Sequence, residues 1–543
     1  MDKTNQFFLE LSFDNLRREV NWDSLFPIIG LPKKVYQRKW DKLLFGYFSN
    51  FDGLVNEKEI FDEVEKNGFK KLTNSNSLFL LLFIDLISGN VAIAVDQFLS
   101  FSCFFAILED KLIISSSFGR MKNELKKSKS LKTDTDAILS YLLWEWHNAE
   151  NTLVKQIKVL PGGSQLRLNL KDLKGLQVGT LIELNNFYDK DEGQEYQSME
   201  DFSKAWLELL MQLVEERLRL IPDEVNIGCD VSSGFDCALI AFCLSQISRK
   251  GRFKGFSNYS SIMGDENNLD IVKRFANIHN FPLEVFDYTK HTLHELNPDE
   301  AWPSDTLVNP FVYVHHSQYI NFLNKNDIRL LFTGEYGDES YDTKQMEILS
   351  RFPIQRSYFD SIASYRRRRK QELFVDSAKD LFLDQTRFKK RGFYPLIIPS
   401  KSAGCYLPVV EAYSNNCINR LNIFSDTRLL SLARRAPLKE GQQSFQIKEL
   451  MMPFFKSIMP ENYISTSNAG EPFVQLFVNQ KNFVLRILDH SILEQYGLID
   501  AEFLKKYVNN SNSEIYTDKS CQMAMLLYQI VYLDWYLQKN QIV

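Results

Sequence analysis

Between Val225 and Gly334 the sequence alternates short apolar runs with longer amphipathic stretches, and this rhythm restricts the fold more than any other feature of the chain. The order is VNIGCDV, CALIAFCLSQI, RFKGFSN, LDIVKRFANIHN, LEVFDY, VYVHHSQYINFLNKN and IRLLFTG. The short runs have the length and residue types of strands, and the longer ones have helical spacing. Strand and helix in regular succession predict a parallel sheet covered by helices. A further helix is predicted over 202–220, where Trp206, Leu209, Leu210, Leu213 and Leu218 recur at helical spacing. Beyond Tyr341 the sequence predicts mostly helix.

The preceding part has another rhythm. From Phe45 to about Leu184, short apolar runs are broken by polar turns: LFLLLFIDLI, NVAIAV, FSCFFAIL and KLIISSS, with Glu109-Asp110 as one turn. These lengths suit strands. A helix is predicted from Asp134 to Trp146, capped by Thr133 or Asp134, and Pro161-Gly162-Gly163 turns into the alternating strand SQLRLNL. The acidic, polar stretch at 188–201 reads as a linker. The expected organisation is a mainly β domain over 1–187, that linker, and an α/β domain over 202–543.

Bulk properties exclude several classes. With 44% hydrophobic residues each domain can bury a core, and 64 basic against 69 acidic residues leave a formal charge of only -5. So even a balance predicts no nucleic-acid partner and no reliance on anionic lipid. The most apolar stretch, Leu78 to Ile87, contains Asp85 and is half the ~20 residues a spanning helix needs, so it reads as core. The N-terminus lacks the basic, apolar and small-residue regions of a secretory signal. Seven scattered cysteines with no CxxC pair predict neither a disulfide framework nor a zinc site. A cytoplasmic protein without a membrane partner is expected. The basic runs YRRRRK at 365–370 and RFKKR at 387–391 read first as solvated surface, and alternatively as a dock for an acidic ligand or peptide.

Chemistry concentrates in two turns. In α/β sheets, ligands meet the carboxyl ends of strands, where unpaired N–H groups at a helix start face an anion. Val231-Ser232-Ser233-Gly234-Phe235-Asp236-Cys237 stands at such a junction. Its serines are hydroxyl donors, Gly234 permits close approach or a positive φ, and Asp236 is placed as a magnesium ligand. Alone, this turn reads equally well as an ordinary helix cap. Thr333-Gly334-Glu335-Tyr336-Gly337-Asp338-Glu339 follows a second apolar strand and adds three carboxylates. One aspartate from each turn would hold magnesium against a triphosphate.

These turns resemble the SGGxDS loop and the later SGEGADE-like motif of the asparagine synthetase superfamily. IKVLPGGSQLRL, FKGFSNYSSIMGDENNLDIVKRFANIHN, FSDTRLLSLARRAP and LLYQIVYLDWYLQ resemble further segments of that superfamily in the same order. The resemblance spans nearly the whole chain. It implies an N-terminal glutaminase-like (Ntn-type) domain, then an adenine nucleotide α-hydrolase-like synthetase domain with a helical C-terminal part. It assigns Val231, Ser232, Ser233, Gly234, Asp236, Cys237, Thr333 and Gly334 to ATP, and Asp236 and Asp338 to Mg2+. Glu335 becomes the candidate for taking a proton from an attacking amine, or a carboxylate that only orders its loop.

Departures from the pattern narrow the expectation. Glutamine-using members have a cysteine after the initiator methionine; here residue 2 is Asp2 and no cysteine precedes Cys103. Members without it include β-lactam-forming synthetases and lasso peptide cyclases, and the stretch from Ser465 to Asp500 resembles the C-terminal region of the cyclases more than that of asparagine synthetases. Asn468 stands where many members have lysine, so Lys448 or an arginine of 366–391 would supply the cation needed where charge develops on phosphate. Ser233 replaces a usual Gly and Cys237 a usual Ser. The resemblance implies an AMP-forming macrolactam synthetase acting on a precursor peptide, with a leader-peptide protease and a recognition protein as partners. Amidation of a small carboxylate with ammonia, and a scaffold without chemistry, remain alternatives.

Overall fold

The computed structural model describes residues 8–11, 33–39, 41–49, 57–69, 72, 78–96, 102–108, 111–128, 131–144, 152–160, 162–180, 196–248, 251–259, 266–287, 310–335, 337, 409–414, 416–438, 447–459, 481–510 and 518–540. It is an α/β structure with two antiparallel sheets, one parallel sheet and covering helices. Among the described residues no helix is long and apolar enough to cross a membrane.

The first half contributes β1 (Phe8–Leu11), β2 (Lys33–Lys39), β3 (Lys42–Ser49), α1 (Glu57–Asn67), β4 (Leu78–Asp85), β5 (Asn90–Val95), β6 (Phe104–Leu108) and β7 (Lys111–Ser115). It continues with α2 (Phe118–Ser128), α3 (Thr135–Trp144), β8 (Lys158–Val159), β9 (Ser164–Asn169) and β10 (Asp172–Thr180). One sheet has the order β1-β7-β6-β8 and the other β10-β9-β5-β4-β3-β2. Period-two alternation explains how they stack. Phe105, Leu112 and Ile114 of the first sheet meet Phe45, Leu82, Ile93 and Leu166 of the second in one core. The outer residues Leu44, Phe79, Leu81 and Ala94 pack against Ile60, Phe61 and Val64 of α1. On the other side, Phe104, Ala106 and Ile113 face α2 and α3. The expected strands at 78–87, 90–95, 101–108, 111–117 and 164–170 are therefore present with slightly shorter bounds; Glu109 and Asp110 lie outside the described residues.

The second half opens with α4 (Met199–Leu220), whose N-cap Ser198 accepts a hydrogen bond from the Asp201 N–H at 3.1 Å. The helix begins before Phe202 because this cap and the acidic Glu200 and Asp201 favour an earlier start. Tyr196 donates its N–H to the Arg435 carbonyl and lies under that guanidinium, so 196–201, expected as linker, is packed structure; 188–195 lies outside the described residues.

There follow β11 (Ile227–Asp230), α5 (Phe235–Ile247), β12 (Phe253–Tyr259), α6 (Glu266–Ile278), β13 (Leu283–Asp287), α7 (Pro310–Lys325), β14 (Leu330–Thr333), β15 (Asn419–Asn422), α8 (Thr427–Ala433) and α9 (Ile447–Met451). The sheet order is β13-β12-β11-β14-β15, parallel throughout. Its centre, β11 and β14, carries the two turns predicted to act together. α5 is apolar on nearly every side because it is enclosed by α4 and the sheet, with Phe235, Leu239, Ile240 and Leu244 buried.

The last helices, α10 (Lys481–Leu488), α11 (Ile492–Gln495), α12 (Ala501–Asn510) and α13 (Asp518–Asn540), do not cover the parallel sheet. Val531, Leu533, Trp535 and Leu537 of α13 share one core with Ile138 and Tyr141 of α3 and Phe104 of β6. Gln529 donates to the Tyr141 carbonyl at 2.8 Å, and Lys122 reaches Asn540. The chain's end thus completes the N-terminal layer.

Candidate active site

The two turns meet at the carboxyl edge of the parallel sheet. β11 and β14 are direct neighbours, with Cys229 opposite Phe332, so the residues that follow each strand emerge side by side. Their contact is close enough to require glycine. A Cβ on Gly334 would lie 2.6 Å from the Cys237 backbone N and 2.7 Å from its Sγ. One on Gly337 would lie 2.3 Å from Cγ of Asp236. Gly234, by contrast, has φ -79°, so it needs no left-handed conformation; its service is room beside Ser232.

Each assigned residue has a definite place. Val231 is buried, and its N–H donates to the Phe256 carbonyl. The Ser232 Oγ accepts from the Gly234 N–H at 3.1 Å, which shapes the turn, and Ser233 is buried beside it. Asp236 lies in the first turn of α5, where the helix start favours a negative charge. Lys448, from α9, donates to Asp236 Oδ2 at 2.6 Å. The structure therefore brings Lys448 to the loop, 212 residues away in sequence. Cys237 carries a neutral thiol: burial pushes it up to about 12, against hydrogen bonds to the sulfur from Ser232 and the Gly334 N–H. Thr333 is buried, and its Oγ1 donates to Asn422 Oδ1 of β15 at 2.5 Å. The same oxygen accepts from the Glu335 N–H. Asp338, the second expected magnesium ligand, lies outside the described residues, as do Asn468 and the basic runs. Among the described residues no group of three metal-ligating side chains occurs, and Asp236 is the one assigned metal carboxylate whose place is known.

A second group of side chains lies on the opposite face of the same edge. Asp230, the last residue of β11, accepts a 2.5 Å hydrogen bond from the Tyr319 hydroxyl of α7. The residue is half-buried, but its carboxyl group is desolvated, and this pushes it up to about 7 against the Tyr319 bond and the Arg420 charge; Glu335 adds to the rise. Arg420 of β15 forms an ion pair with Glu335, and its guanidinium lies 4.7 Å from the Tyr413 ring. Burial lowers the Arg420 proton affinity, but Glu335, Tyr413 and Asp230 outweigh it, so the guanidinium stays charged. The Tyr413 hydroxyl bonds His316 Nδ1 at 2.8 Å. Sequence reading missed Asp230 because it ends an apolar run, and Arg420 because NRLN has no strand pattern of its own.

No protein family and no curated protein matches the chain. Among solved structures, the allosteric regulatory enzyme of purine biosynthesis matches 47% of this chain and 62% of its own, at 7% identity and TM-score 0.19. The U34-tRNA thiolase NcsA from Methanococcus maripaludis, with its 4Fe–4S cluster, matches 58% and 82%, at 9% identity and TM-score 0.24. Glutamine PRPP amidotransferase from B. subtilis, complexed with ADP and GMP, matches 49% and 50%, at 9% identity and TM-score 0.18. The chain spans less than two thirds of the first and third of these. At such scores none of them carries an argument about fold or chemistry here.

Proposed function

We propose that the chain is an ATP-dependent, AMP-forming amide synthetase, and that it closes a macrolactam between a side-chain carboxylate of a precursor peptide and the peptide's N-terminal amine. The observation that carries this reading is the interlock of the two turns: Gly334 and Gly337 packed on Cys237 and Asp236 at the carboxyl ends of adjacent parallel strands, with Lys448 on Asp236. The peptide substrate rests on the resemblance of the sequence to lasso peptide cyclases. The N-terminal half, reading as glutaminase-like but without a cysteine at residue 2, agrees with an amine that does not come from glutamine.

In this reading the N–H groups at the start of α5 receive the phosphates of ATP, and the macrodipole of that helix favours their charge. Asp236, with Asp338, would hold Mg2+, which when bound neutralises phosphate charge. Lys448 would supply the cation: with Asp236 engaged elsewhere, its ammonium could turn to phosphate oxygens. The substrate carboxylate attacks the α-phosphorus, the bond to pyrophosphate breaks, and the acyl-adenylate forms. The amine attacks the acyl carbon, its proton passes to a carboxylate such as Glu335, and AMP leaves as the amide forms. Having both reacting groups on one peptide makes the attack effectively unimolecular, an advantage worth about 7 to 11 kcal/mol.

The test is incubation of the purified chain with MgATP and a set of peptides carrying a free N-terminal amine and an Asp or Glu at varied distance along the chain. The expected result is AMP together with loss of one water from the peptide mass. Release of AMP with ammonium and a small carboxylate, and no response to peptides, would instead identify the small-molecule reaction.

A further inference from the structure

Arg420 uses its nitrogens differently from two less enclosed arginines, Arg252 and Arg428. Arg252 spends Nη1 and Nη2 on the backbone carbonyls of Ile221, Pro222, Asp223 and Val225. Arg428 is held by both Glu216 and Asp426. Arg420, only 5% exposed, uses Nη2 for Glu335, while its Nε and Nη1 have no hydrogen-bond partner among the described residues. Glu335 Oε2 likewise has none. A buried ion pair persists when its remaining donors and acceptors are satisfied, so unused atoms on both members of one pair point to a missing third party.

The surroundings indicate what that party is. Arg420 projects from the middle of β15 opposite Leu331, on the sheet face that also buries Phe256, Tyr319 and Leu323. The Tyr413 ring fixes its guanidinium plane. Its partner Glu335 belongs to the turn that clamps the start of α5, so the pair adjoins the phosphate turn without being part of it. Spare donors on a guanidinium fit carboxyl oxygens, and a spare carboxylate oxygen beside them fits an N–H. An amide synthetase brings together those two groups.

We propose that Arg420 and Glu335 form the acceptor subsite, in which Arg420 Nε–H and Nη1–H hold the oxygens of the carboxylic-acid substrate and Glu335 Oε2 receives an N–H of the incoming amine. The assignment of these groups as reactants rests on the amide synthetase reading; the binding of a carboxylate does not. Arg420 is thus a specificity residue for acids over amides. Asp230, protonated below about 7, adds no repulsion to an approaching carboxylate while it holds its proton.

The probes are the α-methylamides of N-acetyl-L-aspartate and N-acetyl-L-glutamate, titrated into the full chain by calorimetry and compared with the corresponding side-chain amides. MgATP affinity is measured separately. The expected result is binding of the acids, with Arg420→Lys weakening it by about ten-fold or more while MgATP affinity is unchanged, because lysine keeps the charge on Glu335 but loses the planar donors. Should Arg420→Lys fail to fold, the pair replacement Arg420→Met with Glu335→Met removes both charges together and serves the same comparison. Equal affinity of the variant and the wild type, or no preference for acid over amide in the wild type, would overturn the proposal. Acid binding that depends on Arg420 without MgATP binding would leave the subsite standing and defeat the synthetase reading.

Discussion

Replacing Asp230 with asparagine should stabilise the chain at roughly pH 8 and leave it almost unchanged at roughly pH 4. The carboxyl of Asp230 is desolvated and pushed up from 3.8 to about 7, with Tyr319 and Arg420 opposing that rise and Glu335 adding to it. Because the folded chain holds this proton more tightly than the unfolded chain, the proton contributes stability at low pH. That contribution is complete below the unfolded value, declines as pH rises from 3.8, and is gone above about 7. Each pH unit in this window is worth about 1.4 kcal/mol, which makes the whole change on the order of 4 kcal/mol. Asparagine resembles the protonated carboxyl, accepts from the Tyr319 hydroxyl as before, and carries no charge to desolvate.

The assay is unfolding of the wild type and Asp230→Asn side by side across that pH range. The expected difference between them widens steadily from acid to neutral pH and then becomes constant. Tyr319→Phe removes the one hydrogen bond that favours the charged form, so in this variant the widening should continue to a higher pH. A difference of constant size at every pH would refute the desolvation argument, and one that favours the wild type at roughly pH 8 would show that the ionised carboxylate is a stabilising partner of Arg420.

Five other substitutions address the site and the core. Gly334→Ala forces a methyl into the Cys237 backbone and should cost about 1–3 kcal/mol and weaken MgATP binding, read from melting and nucleotide titration. Lys448→Met strips Asp236 of its cation and should lower nucleotide affinity by about ten-fold, whereas Asp236→Asn should abolish Mg2+-dependent binding while nucleotide-free melting changes little. Asp534, enclosed in the core of α13 and pushed up to about 6 by burial, accepts the Ile492 and Leu493 N–H groups at the start of α11. Asp534→Ala should therefore cost about 1–3 kcal/mol, and Asp534→Asn much less, as followed by thermal unfolding.

The sequence predicted those elements whose pattern is local. β11, α5, β12, α6, β13, α7 and β14 all fall where the alternation placed them, because each carries its own periodicity. β15 was not legible: Asn419 and Arg420 have poor strand character, and the strand exists because β14 offers it an open edge in register. β2, KKVYQRK, was hidden for a related reason, as an edge strand dressed in charged residues. The same holds for the site. The residues of the turn after β11 lie close together in sequence and share a pattern, whereas Asp230, Tyr319 and Arg420 come from three elements, Glu335 comes from a turn, and they meet only once the sheet has formed. Lys448 was foreseen as a source of positive charge, and only the fold supplied its partner, Asp236.

The turn after β11 is held in shape by its own side chains. The Ser232 oxygen accepts the Gly234 N–H, and Ser233 is buried beside it. Cys237 is a neutral thiol, and its backbone N and Sγ pack against Gly334, so one turn sits directly on the other. Under the proposed synthetase function, the backbone N–H groups of α5 and a cation outside the turn would meet the phosphates. Lys448 contacts the turn directly through Asp236, so under that proposal it would carry part of the phosphate interaction.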